Sequence, residues 1–210
     1  MHAPELPFVV KVCGITNEED ARLAIEAGAN ALGFNFWPKS KRYVTPERAR
    51  QISDAVRGEY LRVGVFVNPR EEELLAALKH LPLDVIQLHG DRQPARLPDS
   101  CRIWKSVDPN KNPQHDERFE AYLLDTPSDG FGGSGVTFAW DLASEFPYRA
   151  IIAGGLDAAN VGEAIALASP WGVDACSRLE SSPGKKDRRR VEEFVRAALA
   201  AAECLPGRVS

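Results

Sequence analysis

Short apolar runs rich in β-branched residues alternate with amphipathic stretches along almost the whole chain. The first run, Phe8–Cys13 (FVVKVC), stops at Gly14. Thr16 or Asn17 then caps a helix running to Ala27, with Glu18, Glu19 and Asp20 in its first turn, where the positive end of the helix dipole favours them. Gly28 closes that helix, and Ala31–Phe36 (ALGFNF) reads as the second strand. Thr45-Pro46-Glu47 opens the next helix with proline at its first position, where a missing N–H costs nothing. The strand Leu61–Val67 (LRVGVFV) follows, and Asn68-Pro69 leads into a helix through His80.

The second half repeats the rhythm. Strand Asp84–Leu88 ends at His89-Gly90 and is followed by a short helical stretch containing proline. Strand Ile103–Val107 enters a polar loop, Asp108–Asp116, and strand Ala121–Asp125 precedes a glycine-rich loop, Ser128–Gly135. Strand Ala150–Ala153 runs into Gly154-Gly155 and then a helix capped by Asp157. Gly172–Ala175 is the last strand, and the final helix spans about Lys186–Cys204. Its Val191, Phe194, Val195, Ala198, Leu199 and Ala202 recur at helical spacing and form a docking face. Eight short, doubly buried strands, each followed by a helix or helix-like stretch, imply a parallel sheet sheathed in helices. At about 26 residues per unit this is a compact (β/α)8 TIM barrel, one α/β domain over residues 1–210. An open doubly wound sheet is the alternative, but the first strand-to-helix turn reads CGITN and lacks a GxGxxG.

Composition removes other classes. The 210 residues carry 26 basic and 30 acidic side chains, a net charge of -4, which disfavours a nucleic-acid partner. No apolar run approaches the roughly 20 residues of a membrane span. The start, MHAPELPFVV, lacks the pattern of a secretory signal, so a cytoplasmic location is expected. Cys13, Cys101, Cys176 and Cys204 are scattered, without a CxxC pair or a zinc spacing, so no metal is expected. Cys101 and Cys204 read as small buried hydrophobes.

In a barrel of this kind the chemistry lies at the C-terminal ends of the strands. Those positions hold Cys13, then Lys39, Lys41 and Arg42, then Gln87 and His89, Asp125, Gly154 and Gly155, and Asp174 with Ser177. A carboxylate closing an apolar strand, as Asp125 does, has no packing reason to be there. Gly154-Gly155 after the seventh strand sits at the phosphate position of many barrels. Around a closed barrel, a phosphate held by loops seven and eight lies between Asp125 and Cys13, with Arg42 beyond Cys13. An acid and a thiol facing the middle of a ligand suit a proton-transfer isomerase that uses no cofactor.

KVCGIT (11–16), GFNFWPKSKRYV (33–44), VGVFVN (63–68), VIQLHG (85–90), LLDT (123–126), GGSGVTF (132–138), AGGL (153–156) and PGKKD (183–187) occur in order from about residue 9 to 196. Together they resemble the phosphoribosylanthranilate isomerase family of tryptophan biosynthesis, whose fold is the (β/α)8 barrel. The resemblance implies an Amadori rearrangement of N-(5-phosphoribosyl)anthranilate, with Cys13 as general base, Asp125 as general acid and Arg42 as a clamp on the anthranilate carboxylate. It places the phosphate at Gly154, Gly155, Cys176 and Ser177; Gln87, His89 and Asp174, from their places at the strand ends, are expected as further substrate contacts. The partner is a small phosphorylated substrate, the protein a monomer or homodimer. A free thiol titrates near ~8.5, so the helix dipole and loop amides at the barrel mouth are expected to favour the Cys13 thiolate.

Two positions depart from the family pattern. Arg178 stands where the strand-eight loop usually has Gly (Asp174-Ala175-Cys176-Ser177-Arg178-Leu179-Glu180, against Asp-Val-Ser-Ser-Gly-Val-Glu), which puts the backbone path there in question. Ala139 replaces the Asp of the usual Phe-Asp-Trp. A dual-substrate isomerase that also takes the histidine-pathway aminoaldose would be expected to use two carboxylates, against which Cys13 argues. A barrel retired to binding a phosphorylated ligand is opposed by the retained Cys13, Asp125 and Arg42.

Overall fold

The computed structural model describes residues 8–111, 113, 115–125 and 140–205. Eight parallel strands close into a barrel in chain order: β1 Val9–Cys13, β2 Ala31–Asn35, β3 Leu61–Val67, β4 Val85–His89, β5 Arg102–Val107, β6 Ala121–Leu124, β7 Ala150–Ile152 and β8 Gly172–Ala175. β8 closes on β1 in parallel register, with Val9 opposite Gly172 and Val12 opposite Ala175. The helices are α1 Glu18–Glu26, α2 Pro46–Asp54, α3 Glu71–His80, α4 Asp141–Ser144, α5 Val161–Ala168 and α6 Arg188–Glu203. Among the described residues no helix is long and apolar enough to cross a membrane.

The caps follow local chemistry. Asn17 accepts the Asp20 N–H, Thr45 the Arg48 N–H ahead of Pro46, and Asp187 the Arg190 N–H at the start of α6. In α6, Val191, Phe194, Val195, Ala198 and Ala202 are buried while Leu199 is only partly covered, and the helix packs on α1 and α5.

Three expectations need correction. No helix joins β4 to β5: Pro94 and Pro98 remove backbone donors and hold the preceding residues extended, leaving turns and bends. α5 begins at Val161 with Asn160 at its N-cap, later than Asp157. Gly154 (φ 83°) and Gly155 (φ 64°) are left-handed and cannot start a helix, and Asp157 instead holds a turn through a 2.9 Å bond from the Ala159 N–H. After β8 the chain makes a short 3₁₀ turn, Ser177–Leu179, and an antiparallel hairpin, β9 Glu180–Ser182 and β10 Lys185–Lys186, which was not foreseen. The glycine-rich loop 128–135 and Ala139 lie outside the described residues.

Alternation along the strands builds two cores. Val10, Val12, Leu32, Phe34, Ile86 and Leu88 face the helices. Val9, Leu61, Val63, Val85, Trp104 and Leu123 belong to a second cluster that fills the barrel interior. Moving up the interior, two residues at a time, the side chains turn polar: Lys11 then Cys13 on β1, Gln87 then His89 on β4, Asp174 on β8.

Candidate active site

That change of polarity opens a cavity of about 550 Å³ at the C-terminal mouth. Cys13, Arg42, Gln87, His89, Asp125, Gly154, Gly155, Asp174, Cys176 and Ser177 all line it. Sequence position had singled out each of them except Cys176, which the family resemblance supplied. Lys39, Lys41 and Arg178 are at its rim as well.

Cys13 ends β1 inside the barrel, 9% exposed. It has room because its neighbour on β2 is Gly33, where a Cβ would come within 2.7 Å of the sulfur. Below it, Lys11 is fully buried and pairs with Asp174 at 2.8 Å. Burial works against the Lys11 charge, but Asp174 and Cys13 together outweigh it and hold the ammonium charged. Burial also pushes the Asp174 carboxyl up to about 7. Asp174 sits beneath Cys13 as a counter-charge to the Lys11 ammonium while it also lines the cavity.

The second sulfur was not anticipated as a partner. Cys13 and Cys176 are hydrogen-bonded through their side chains. That bond and burial raise the Cys13 thiol well above its usual value, with Lys11 pulling the other way. The same bond draws the Cys176 thiol down to about 6, helped by Lys186 and Arg42. In the ligand-free pair negative charge is therefore favoured on Cys176, and the Cys13 thiol is held toward its protonated form. The expectation that the helix dipole and loop amides would favour the Cys13 thiolate did not include this second sulfur.

Arg42 reaches over the mouth from the loop after β2. Its Nε and Nη2 donate to Glu180 Oε1 and Oε2 at 2.8 and 2.7 Å, a two-point pair. Glu180, only 4% exposed in its side chain, also accepts from the fully buried Lys186 at 3.1 Å. Lys186 Nζ in turn reaches the Cys176 carbonyl at 3.2 Å and its sulfur at 3.8 Å. The side-on pair with Glu180 uses one edge of the guanidinium, and the Nη1–Nη2 edge is the one that remains to meet a ligand carboxylate. Gly14 (φ 74°) is part of this arrangement, since a Cβ there would lie 2.5 Å from Arg42 Cδ and 2.9 Å from Cys176 Sγ.

On the far wall, Gln87 Nε2 lies 2.7 Å from His89 Nε2. Burial, with Lys11 and Lys105 nearby, lowers His89 to about 3, so the ring is neutral and accepts from the Gln87 amide. Asp125 follows β6 directly and faces the same cavity. Between β6 and β1, Gly154 and Gly155 turn at the end of β7, and Ser177 opens the 3₁₀ turn after β8. Arg178 sits in that turn without a positive φ, which resolves the question its presence raised, and its Nη1 pairs with Asp157 Oδ2 at 2.8 Å. Lys11, Glu180 and Lys186 are the residues that sequence reasoning missed. Lys11 left one signal, a charge in the middle of an apolar strand, whereas Glu180 and Lys186 left none.

Comparison with known proteins agrees with this geometry. The profile of the N-(5'-phosphoribosyl)anthranilate isomerase family matches residues 10–197. A relative from Solibacter usitatus described as N-(5'-phosphoribosyl)anthranilate isomerase is 52% identical over 199 residues, covering 92% of this chain and 98% of its own length. Two solved structures superpose with TM-score 0.74 at 34% identity, each covering 92% of this chain and 99% of its own. One is a phosphoribosyl anthranilate isomerase with reduced 1-(o-carboxyphenylamino)-1-deoxyribulose 5-phosphate; the other shows monomers generated from the dimeric enzyme of Thermotoga maritima. A profile match over nearly the whole chain, on a barrel whose mouth gathers a thiol, a carboxylate and a cation, leaves one assignment: the chain belongs to the N-(5'-phosphoribosyl)anthranilate isomerase family.

Proposed function

We propose that the chain converts N-(5'-phosphoribosyl)anthranilate to 1-(2-carboxyphenylamino)-1-deoxyribulose 5-phosphate in tryptophan biosynthesis, with Asp125 as general acid and Cys13 as general base. The observation that carries these roles is the placement of Asp125 and Cys13 on one cavity, with the β7 and β8 loops between them and Arg42 on the far side of Cys13. Asp125 protonates the ribose ring oxygen as the C1'–O bond opens, and the nitrogen lone pair forms the Schiff base. Cys13 then removes the C2' proton, the C2'–H electron pair forms the C1'=C2' bond as the C=N pair moves onto nitrogen, and the enolamine tautomerises to the ketose. Each proton transfer of this kind contributes roughly 10²–10⁴-fold.

Cys13 becomes the base by passing its own proton along the hydrogen bond to Cys176. Lys11 beneath it stabilises the thiolate so formed. Arg42 offers its Nη edge to the anthranilate carboxylate. The backbone of Gly154 and Gly155, Ser177 and the Arg178 cation receive the phosphate. Gln87 and His89 present neutral polar groups to the ribose hydroxyls. The protein acts as a monomer or homodimer in the cytoplasm, where its charged, phosphorylated substrate is confined.

The test is direct. Purified protein, in buffer with chelator and no cofactor, should extinguish the fluorescence of the anthranilate-type substrate as the product forms. An unchanged signal at micromolar enzyme would overturn the reading.

A further inference from the structure

We propose that Cys13 and Cys176 are a redox pair, which a peroxide converts to a disulfide that switches the isomerase off and a dithiol restores. The register of β1 against β8 ends with Val12 opposite Ala175, so Cys13 at the end of β1 and Cys176 directly after β8 are the next positions along two adjacent strands. Neighbouring strands lie about 4.8 Å apart, which is inside the Cα separation of about 4.4–6.8 Å that a disulfide spans. A Cβ on Gly14, the residue after Cys13, would lie 2.9 Å from Cys176 Sγ, the two side chains interact, and both thiols are free. Both line the open cavity, so a small oxidant reaches them without unfolding.

The pair is also differentiated chemically. Lys186 Nζ at 3.8 Å and the Arg42 guanidinium hold negative charge on Cys176, making it the nucleophile. The Cys176 thiolate attacks one oxygen of hydrogen peroxide, the O–O bond breaks, and the departing hydroxide is protonated to water, leaving a sulfenic acid. Cys13 sulfur then attacks that sulfur, the S–S bond forms, the S–O bond breaks, and hydroxide leaves with the Cys13 proton as a second water. Two thiols and one peroxide give one disulfide and two waters. Cys13 no longer has a thiolate to offer, and turnover falls to about one hundredth or less. Cys101 and Cys204 provide internal controls: Cys101 lies just before β5, its sulfur on the Leu83 carbonyl at 3.2 Å, and Cys204 is exposed after α6.

The loss of activity rests on the reading of Cys13 as base, whereas the cross-link does not, and the experiment separates the two. The reduced full chain is treated with a small excess of hydrogen peroxide and sampled for intact mass, peptide mapping and turnover. The expected result is loss of two hydrogens, a peptide pair joining Cys13 to Cys176, inactivation at the rate of cross-linking, and recovery of both with dithiothreitol. Cys13→Ser under the same treatment should gain oxygen on Cys176 in place of the cross-link. Oxygen addition without a cross-link in the native chain, or a cross-link through Cys101 or Cys204, overturns the pairing. A Cys13–Cys176 cross-link that leaves turnover intact overturns the switch and the base assignment together.

Discussion

Replacing Cys176 by serine should move the low-pH limb of kcat/KM upward and reduce activity at neutral pH. In the native pair the negative charge forms as Cys176 ionises at about 6, so at pH 7 the pair is about 90% in its anionic form. A serine hydroxyl does not ionise in this range, and the charge then has to form on Cys13 itself. Burial raises that thiol and Lys11 lowers it. With burial prevailing, that thiol stays largely protonated at neutral pH. The resulting loss is at least about tenfold, or about 1.4 kcal/mol of transition-state stabilisation, and at most the roughly 10²–10⁴ that a positioned base contributes. The assay is kcat/KM from substrate fluorescence between pH 5 and pH 10 for both proteins. Their ratio at each pH cancels whatever Asp125 contributes. The ratio should rise with pH above about 6, by at most tenfold per unit, as Cys13 itself ionises. A ratio that stays flat across the range would refute the shared-charge argument, and a limb unmoved from about 6 would show that another group sets it.

Cys13→Ala should cost about 10²–10⁴ in kcat while binding of the reduced product analogue, measured by calorimetry, is nearly retained. Retention of more than about a tenth of the native rate would remove Cys13 as the base. Asp125→Asn keeps the shape without the carboxylic proton and should lose rate by a similar factor; a normal rate would sink the acid assignment. Arg42→Lys should weaken the carboxylate-bearing ligand by about tenfold to a hundredfold, because an ammonium cannot serve Glu180 and a ligand through two parallel edges. Ribulose 5-phosphate, lacking the aromatic acid, should bind the two proteins almost alike, and equal losses for the two ligands would place Arg42 with the phosphate or the fold.

The barrel was legible because each strand is a β-branched run ended by glycine, polar residues or proline, and because side-chain alternation is local. Reading the last residue of each strand was enough to find Cys13, Gln87, Asp125 and Asp174, since parallel strands in a closed barrel bring all their C-terminal ends to one mouth. What stayed hidden depends on long-range pairing. Glu180 lies 138 positions from Arg42, and Lys186 becomes chemically meaningful only once β10 folds back to place it against Glu180 and Cys176. The stretch between β4 and β5 was misread because apolar residues spaced by Pro94 and Pro98 mimic a helical period that the proline rings forbid.

The pair between Arg42 and Glu180 has a consequence for affinity. A free arginine side chain gives up roughly 1.5–2 kcal/mol of rotamer entropy when a ligand immobilises it. Here that ordering accompanies folding, because Glu180, itself fixed by Lys186, holds the guanidinium in one orientation before any ligand arrives. A carboxylate entering the mouth therefore meets a donor edge whose freedom is already spent. Its binding strength is set partly by a glutamate it never touches, and variation at Glu180 or in the β9–β10 hairpin would tune substrate affinity from outside the contact surface.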